Sequence, residues 1–455
     1  MNTRVTSPHE RLSFIRKVLF GVADSTNSLF FTVIAFFYLY FLTDIAGLAP
    51  LLSGWVLLLG KAWDAVADPT MGFISDRTKS RWGRRRPYFL AVVPSAVFFF
   101  LVWYAYPIDN QTYLFLTYVA LNLMFWTFFA MASIPYAALM PELTLDYDDR
   151  TSLVSVRMVF SIVFGLIGAV VPMAIVGLYP TKTTGFAAMG LLIGSFGIFP
   201  YVITFLGTKE RPEFQERASL SVVTSLTETI KNRAYLIAMI IFLLSWACVD
   251  IVGAVFIYFV TYWMGLTEGD VSIFLGILFV TAVVFLPFWV FISKMLGKRA
   301  AYILGMSFWA LVMSLAFFLR PGVPISVLYL FCILAGIGVS TAHLIPWTMI
   351  IDCVDFDEHK TGARREGMYT GFTLFAQKLA SSVALFAVGA FLGWSGYTAN
   401  MVQTESALIA IRVLFGPVPA VLLVLSIVCA LFYPITREVH AKVRGELDSR
   451  MHKEG

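Results

Sequence analysis

Three ionisable residues stand inside one apolar stretch, in the run Lys61-Ala62-Trp63-Asp64-Ala65-Val66-Ala67-Asp68-Pro69. Their spacing puts Lys61, Asp64 and Asp68 on one face of a helix. An ionisable side chain within a bilayer costs at least about 2.5–3.5 kcal/mol, so a membrane helix that keeps three of them keeps them for a purpose. Two carboxylates one turn apart with an ammonium beside them make a site for a proton or a monovalent cation. The structural alternative is an ion pair joining helices, and the two roles can coexist. Other polar residues stand in other apolar runs: Asp24 with Asn27, Arg157, His343, and Gln377 with Lys378. An Arg–Asp fork suits vicinal hydroxyls or an anionic head group, and its alternative is an interhelical hydrogen bond. His343 reads equally as cavity lining or as a packed ring. Trp347, Tyr369, Tyr38 and Trp126 could stack on a sugar, although a chain that is 16% aromatic supplies such rings freely.

The elements that must position these groups are membrane helices. Of 455 residues 59% are hydrophobic and only 13% charged, with a mean hydropathy of +0.81, against roughly a quarter charged in soluble domains. Apolar segments fall at about 18–43, 51–75, 88–107, 113–140, 153–178, 183–207, 234–263, 270–293, 300–319, 325–351, 367–393 and 407–434. Basic residues cluster in alternate connections: Arg77 to Arg86, Lys209 to Arg233, Lys294 to Arg299, Lys360 to Arg365, and the tail after Arg437. The positive-inside rule then places both termini in the cytoplasm, with the first apolar run a retained helix rather than a signal peptide. The net charge of +5 is spread over these loops, which argues against a nucleic-acid partner. Cys248, Cys332, Cys353 and Cys429 have no metal-ligand spacing and are expected to pack. No phosphate-cradling GxxxxGK[ST] is present, so the chain is no self-contained ATP-driven pump, and five scattered histidines argue against an enzyme. A channel would want a ring of mid-span charges in an oligomeric pore and would leave the repeat described next unexplained.

The two halves echo each other. Phe73-Ile74-Ser75, Gly83-Arg84-Arg85 and Tyr88 return as Phe291-Ile292-Ser293, Gly297-Lys298-Arg299 and Tyr302. Ile134-Pro135 and Asp146-Tyr147-Asp148-Asp149 return as Ile345-Pro346 and Asp355-Phe356-Asp357-Glu358. Parallel repeats of six spans predict an all-α membrane protein of twelve transmembrane helices with the major facilitator fold. The expected organisation is a first six-helix bundle over 1–207, a cytoplasmic linker over 208–233, and a second bundle with a cytoplasmic tail over 234–455. Lys61, Asp76, Arg84, Arg85, Asp149 and Asp357 are expected to gate the cytoplasmic side, acidic clusters after spans four and ten meeting basic loops after spans two and eight.

The run from Trp63-Asp64 through Asp68-Pro69 to Arg86-Pro87 resembles the glycoside-pentoside-hexuronide:cation symporter family, to which the melibiose permease belongs. So do Gly21-Val22-Ala23-Asp24-Ser25-Thr26-Asn27, Thr43-Asp44-Ile45-Ala46-Gly47, Ser133-Ile134-Pro135-Tyr136, Pro346-Trp347, Asp352, Asp355, Thr361-Gly362, Arg365-Glu366-Gly367 and Gln377-Lys378. The resemblance implies that Asp64 and Asp68 hold the coupling cation with Lys378 beside them, and that Asp24 and Arg157 bind sugar. Asn27, His343, Trp347, Gln377 and Lys378 are further substrate-site candidates. Two positions depart from the melibiose permease pattern: Ala67 stands where an Asn precedes the second carboxylate, and Ser133 where a third Asp would complete the cation site. Na⁺ needs a cage of several oxygens and a proton needs one carboxylate, so H⁺ coupling is expected, with Na⁺ at Asp64 and Asp68 as the alternative.

The expectation is a secondary active symporter of the inner membrane that moves a sugar or glycoside by alternating access. It would bind substrate near the midplane, use no cofactor beyond the coupling ion, act as a monomer, and have only its substrate and the bilayer as partners. Cation-coupled transport of a lysophospholipid is the rival, because animal relatives of that family carry the same paired carboxylates. A Phe-rich first span, Phe30 to Phe41, speaks for an apolar wall.

Overall fold

The computed structural model describes residues 12–144, 147–210, 232–361, 366–435, 437–439, 442–443 and 446. Asp146, Arg365 and most of the 208–233 connection lie outside the described residues. Among the described residues twelve helical segments follow one another: α1 (Phe14–Ile45), α2 (Pro50–Arg77), α3 (Arg86–Val102), α4 (Gln111–Leu143), α5 (Tyr147–Val176) and α6 (Lys182–Gly207), then α7 (Arg233–Trp263), α8 (Glu268–Leu296), α9 (Lys298–Ala316), α10 (Ile325–Thr361), α11 (Glu366–Trp394) and α12 (Glu405–Leu431). They match the twelve expected spans one to one, and there is no strand among the described residues. A chain in lipid must satisfy its backbone internally, which helices alone achieve without closing a barrel. Among the described residues, ten helical stretches are long and apolar enough to cross a membrane, and α3 is apolar but shorter. The twelfth, α2, has the length but interrupts its apolar face with Lys61, Asp64 and Asp68.

The chain divides into two compact units, residues 1–218 and 219–455, each with six of the helices. The units repeat in backbone detail. Both α1 and α7 end in a π-helical turn, Phe41–Ile45 and Phe259–Trp263. Each turn leads to a glycine of positive φ, Gly47 (73°) and Gly265 (68°). In each, a leucine amide then reaches back across the turn, Leu48 to the Leu42 carbonyl (2.9 Å) and Leu266 to that of Val260 (3.1 Å). The underlying sequences, Phe41-Leu42-Thr43-Asp44-Ile45-Ala46-Gly47-Leu48 and Phe259-Val260-Thr261-Tyr262-Trp263-Met264-Gly265-Leu266, are a third echo, clearer than the two expected. It brings Pro69 of α2 into register with Pro287 of α8, the same register as Phe73 with Phe291.

In the first unit α2 is clamped along α4. Asn122 donates its side-chain amide to the Val56 carbonyl (3.0 Å), and Trp63 donates its indole N–H to Thr127 (2.8 Å). Between them Gly60 lets the helices touch: a Cβ there would lie 2.2 Å from Asn122 Nδ2. The three contacts set the rotation of α2 and so turn Lys61 (3% exposed) and Asp64 (1%) inward while Trp63 and Val66 face outward. Phe30, Phe37 and Phe41 of α1 are buried, while Phe31 and Phe36 are half-buried. Phe30 stacks on Phe99 at 4.2 Å, and Phe41 lies 5.3 Å from Trp103 and 5.4 Å from Phe186.

Gly60→Val should displace the Asn122 amide from its buried bond, costing about 1–3 kcal/mol. A lowered thermal midpoint in detergent would register the loss, and Gly72→Ala, whose added Cβ meets nothing nearer than 3.8 Å, should leave it unchanged.

Candidate functional site

Asp24 is the centre of a buried polar knot drawn from four helices of the first unit. Arg157 of α5 grips it with both arms, Nε to Oδ2 at 2.5 Å and Nη2 to Oδ1 at 3.3 Å. Tyr136 of α4 donates its hydroxyl to Oδ2 (3.0 Å), and Asn27, one turn along α1, donates to Oδ1 (3.2 Å). Tyr201 of α6 completes the set by donating to Asn27 (2.7 Å). The guanidinium also lies 4.9 Å from the Tyr136 ring. One turn further along the same two helices, the hydroxyls of Ser28 and Ser161 meet at 2.6 Å. The carboxylate thus accepts four hydrogen bonds and is fixed in orientation. The knot is not sealed, since the side chains of Asp24 and Arg157 keep 11% and 16% exposure. Of the sequence candidates Asp24, Asn27 and Arg157 come together here. Tyr136 was legible as part of the Ser133–Tyr136 motif, and Tyr201 had no signal beyond its place in an apolar span.

The second site lies on α2. The Lys61 ammonium sits over the rings of Phe31 (3.9 Å) and Trp126 (4.6 Å), so aromatic faces help hold this cation in an apolar setting. Asp64 is buried and Asp68 half-buried on the same face. Ala67 points into an apolar cluster with Met71 and Ala130, flanked by Tyr88, Met131 and Ile134, and so brings no oxygen. Ser133 lies half-buried on α4, one turn from Ala130.

The second unit supplies a comparison from inside the molecule. At the positions of α8 that correspond to Lys61, Asp64 and Asp68 stand Phe279, Ala282 and Leu286. The same proline-containing helix forms without a charge at these three positions, so the helix does not require the acids of α2. The place of Asp24 on α7 is taken by Phe242, whose surroundings are aromatic. Phe242 stacks on Trp246 (5.7 Å), Trp246 lies 4.7 Å from the His343 ring, and Trp347 lies 5.5 Å from Phe242. His343 shares the Val339 carbonyl at 3.0 Å yet keeps an exposed ring midway along α10. Tyr38, Trp126 and Tyr369, also candidates for stacking, are buried in packing. Gln377 and Lys378 are half-buried on α11. Ser381, one turn after Lys378, donates its hydroxyl to the buried Asp250 of α7. Asp250 is an acid in an apolar span, and the reasoning that flags Asp64 flags it too, although the sequence reading passed over it.

Of the expected gate residues, Lys61 stands mid-helix in α2, and Asp76, Arg84 and Arg85 form a cluster at the helix ends. Arg85 pairs with Asp76 (2.8 Å) and with Glu142 at the end of α4 (2.9 Å), and Arg84 pairs with Glu142 (2.7 Å). Asp149 pairs with Lys17 (2.6 Å) and accepts the Leu12 backbone N–H (2.6 Å). In the second unit Lys298 pairs with Asp352 (2.6 Å), while Asp357 is buried on α10.

Two repeated six-helix units with ionisable groups buried among apolar helices define a secondary membrane transporter rather than an enzyme. Residues 19–437 match the family of MFS/sugar transport proteins, and the chain belongs to that family. It is 32% identical to an uncharacterized symporter of Synechocystis sp., over 97% of this chain and 98% of the relative. It is 27% identical to the sodium-dependent lysophosphatidylcholine symporter 1-A of Danio rerio (93% of this chain, 86% of the relative). Its identity to the isoprimeverose transporter of Lactiplantibacillus pentosus is 25% (96% and 91%). Among solved structures, the nucleoside transporter NupG shares the fold, with a TM-score of 0.65 at 14% identity over 92% of this chain and all of that one.

Asp149 precedes the apolar part of α5 and titrates outside it. Burial favours its neutral form, but the hydrogen bonds from Lys17 and from the Leu12 amide outweigh burial and hold the carboxyl below the usual aspartate range. A depressed folded-state pKa contributes stability above the ordinary aspartate value, and that stability is lost as pH falls through the folded value. The thermal midpoint should therefore drop below about pH 4. Lys17→Gln should lower the midpoint at neutral pH and flatten that drop, as read from melting curves across the acid range.

Proposed function

We propose that this protein is a proton-coupled symporter of a glycoside or another small polar solute, with Asp64 and Asp68 carrying the coupling ion and the Asp24–Arg157 knot binding substrate. The observation that carries the coupling role is the contrast between α2 and α8: the repeat builds the helix with Phe279, Ala282 and Leu286, so the charges of α2 are retained against a cost the fold does not impose. Protons are favoured over Na⁺ because Ala67 faces an apolar cluster and Ser133 offers one hydroxyl. Lys378, Asn27, His343, Trp347 and Gln377 keep their expected roles at the cation and substrate sites. In this reading the protein is a monomer of the inner membrane with both termini in the cytoplasm. The connection 208–233 links its halves, and the Arg84–Arg85–Asp76–Glu142 cluster forms part of the inner gate.

A polar substrate is favoured by the knot itself. A guanidinium that keeps 16% exposure, a carboxylate, an amide and two phenols provide directional donors and acceptors, which hydroxyl groups use and acyl chains do not. Phe30, Phe37 and Phe41 are buried while Phe31 and Phe36 are half-buried, so α1 offers less apolar surface than its Phe-rich run suggests, which supports a polar substrate. The lysophospholipid reading keeps the support of the sodium-dependent lysophosphatidylcholine symporter among the relatives.

Asp68→Asn should abolish uphill accumulation while sparing exchange or binding, because an amide mimics only the protonated acid. Full accumulation in both the Asp64→Asn and Asp68→Asn variants would defeat the coupling role. In de-energised vesicles substrate should alkalinise the medium without stimulation by Na⁺, and Na⁺-dependent uptake with no proton movement would reverse the assignment of the ion. A thermal-shift screen of glycosides and lysolipids identifies the substrate class, since a ligand at 100 times its Kd stabilises by about 2.7 kcal/mol. With that substrate, Asp24→Ala and Arg157→Ala should weaken binding by more than about tenfold, the loss of charge-assisted hydrogen bonds, and unchanged affinity with collapsed expression would favour a structural role.

A further inference from the structure

The loop that leads into α3 already holds an anion, and the loop that leads into α9 is built in the same way. In the first unit the Glu210 carboxylate accepts the backbone N–H groups of Arg84 (2.7 Å), Arg85 (2.7 Å) and Arg86 (2.8 Å). Gly83 makes this approach possible, with φ at +109° and a position where any Cβ would lie 2.6 Å from the carboxylate. The second unit repeats glycine followed by two basic residues as Gly297-Lys298-Arg299, and Gly297 again has a positive φ of 84°. The amides after it open the 19-residue helix α9. The sequence order Thr208-Lys209-Glu210 returns as Thr436-Arg437-Glu438, but Glu438 is exposed.

Beside this second loop is a cleft of about 180 Å³ lined by Lys294, Gly297, Lys298, Asp352 and Arg437 among others. Lys298 is paired with Asp352 at 2.6 Å. Lys294 and Arg437 are exposed, and Arg437 is tied to the end of α8 through the Met295 carbonyl at 3.4 Å. Three cations against one carboxylate leave the lining with two net positive charges, at a loop whose counterpart binds a carboxylate through its amides. Flanking it, Phe291, Met295, Leu296 and Phe432 are exposed apolar side chains at the end of membrane helices. We propose that this cleft binds the phosphate of an anionic phospholipid, with Lys294, Arg437 and the first turn of α9 on the head group and the flanking apolar side chains against the acyl chains. A free phosphate ion would use the cations and amides but not the apolar rim.

The test is native mass spectrometry of the detergent-purified protein with phosphatidylglycerol, phosphatidylcholine or inorganic phosphate. The wild type should retain one phosphatidylglycerol about tenfold more tightly than phosphatidylcholine, and the double variant Lys294→Gln/Arg437→Gln should lose that preference. The charge-conserving pair Lys294→Arg/Arg437→Lys should restore it, and melting curves in detergent should show all variants folded. Equal retention of the two lipids, an undiminished preference in the glutamine variant, or displacement of phosphatidylglycerol by millimolar inorganic phosphate would each overturn the assignment.

Discussion

A carboxylate among apolar helices must be met by donors, and the first six helices are organised around that demand. Asp24 draws α1, α4, α5 and α6 together through Arg157, Tyr136 and the Asn27–Tyr201 pair. Removing one partner of such a buried pair costs about 3–5 kcal/mol, more than any single apolar contact around it, because the other charge is left uncompensated. Four helices therefore share one polar anchor in a bundle whose remaining contacts are largely non-directional. The anchor keeps a small residual exposure, 11% at Asp24 and 16% at Arg157.

The two units solve the same packing problem with opposite chemistry. Where the first has Asp24 the second has Phe242, beside Trp246, His343 and Trp347. Where α2 carries Lys61, Asp64 and Asp68, α8 carries only apolar groups. The shared π turns and glycines belong to the architecture, since both units need them at the same place. The ionic groups of α2 and the Asp24 knot belong to one unit alone, and difference within a repeat marks function more sharply than a buried charge does by itself.

Much of this was legible in the sequence. Hydropathy located all twelve helices because lipid leaves the backbone no other solution, and the cost of intramembrane charge singled out Asp24, Asp64, Asp68 and Arg157. Less legible was which acid meets which base. Glu142 and Asp149 both follow the apolar part of span four in sequence, yet Glu142 takes Arg84 and Arg85 while Asp149 pairs with Lys17, a choice of chain geometry that spacing does not encode. Glu210 was read as part of a charged linker, although it caps the loop before α3, because its partners are backbone amides with no residue-type signature. The Phe-rich run of α1 is a related case: periodicity says that a face is apolar, and only the neighbours say which of its rings are covered, Phe30, Phe37 and Phe41 fully and Phe31 and Phe36 in part.

Confining the charges of α2 to one helix has an electrical consequence. With all three groups ionised, Lys61, Asp64 and Asp68 sum to one net negative charge, and a bound monovalent cation brings the sum to zero. Under the proposed coupling, and counting these three groups, the loaded carrier crosses the membrane field as a neutral body and the empty one as an anion. A membrane potential, worth about 2.3 kcal/mol per charge per 100 mV, would then act on the return of the empty carrier rather than on the translocation of substrate.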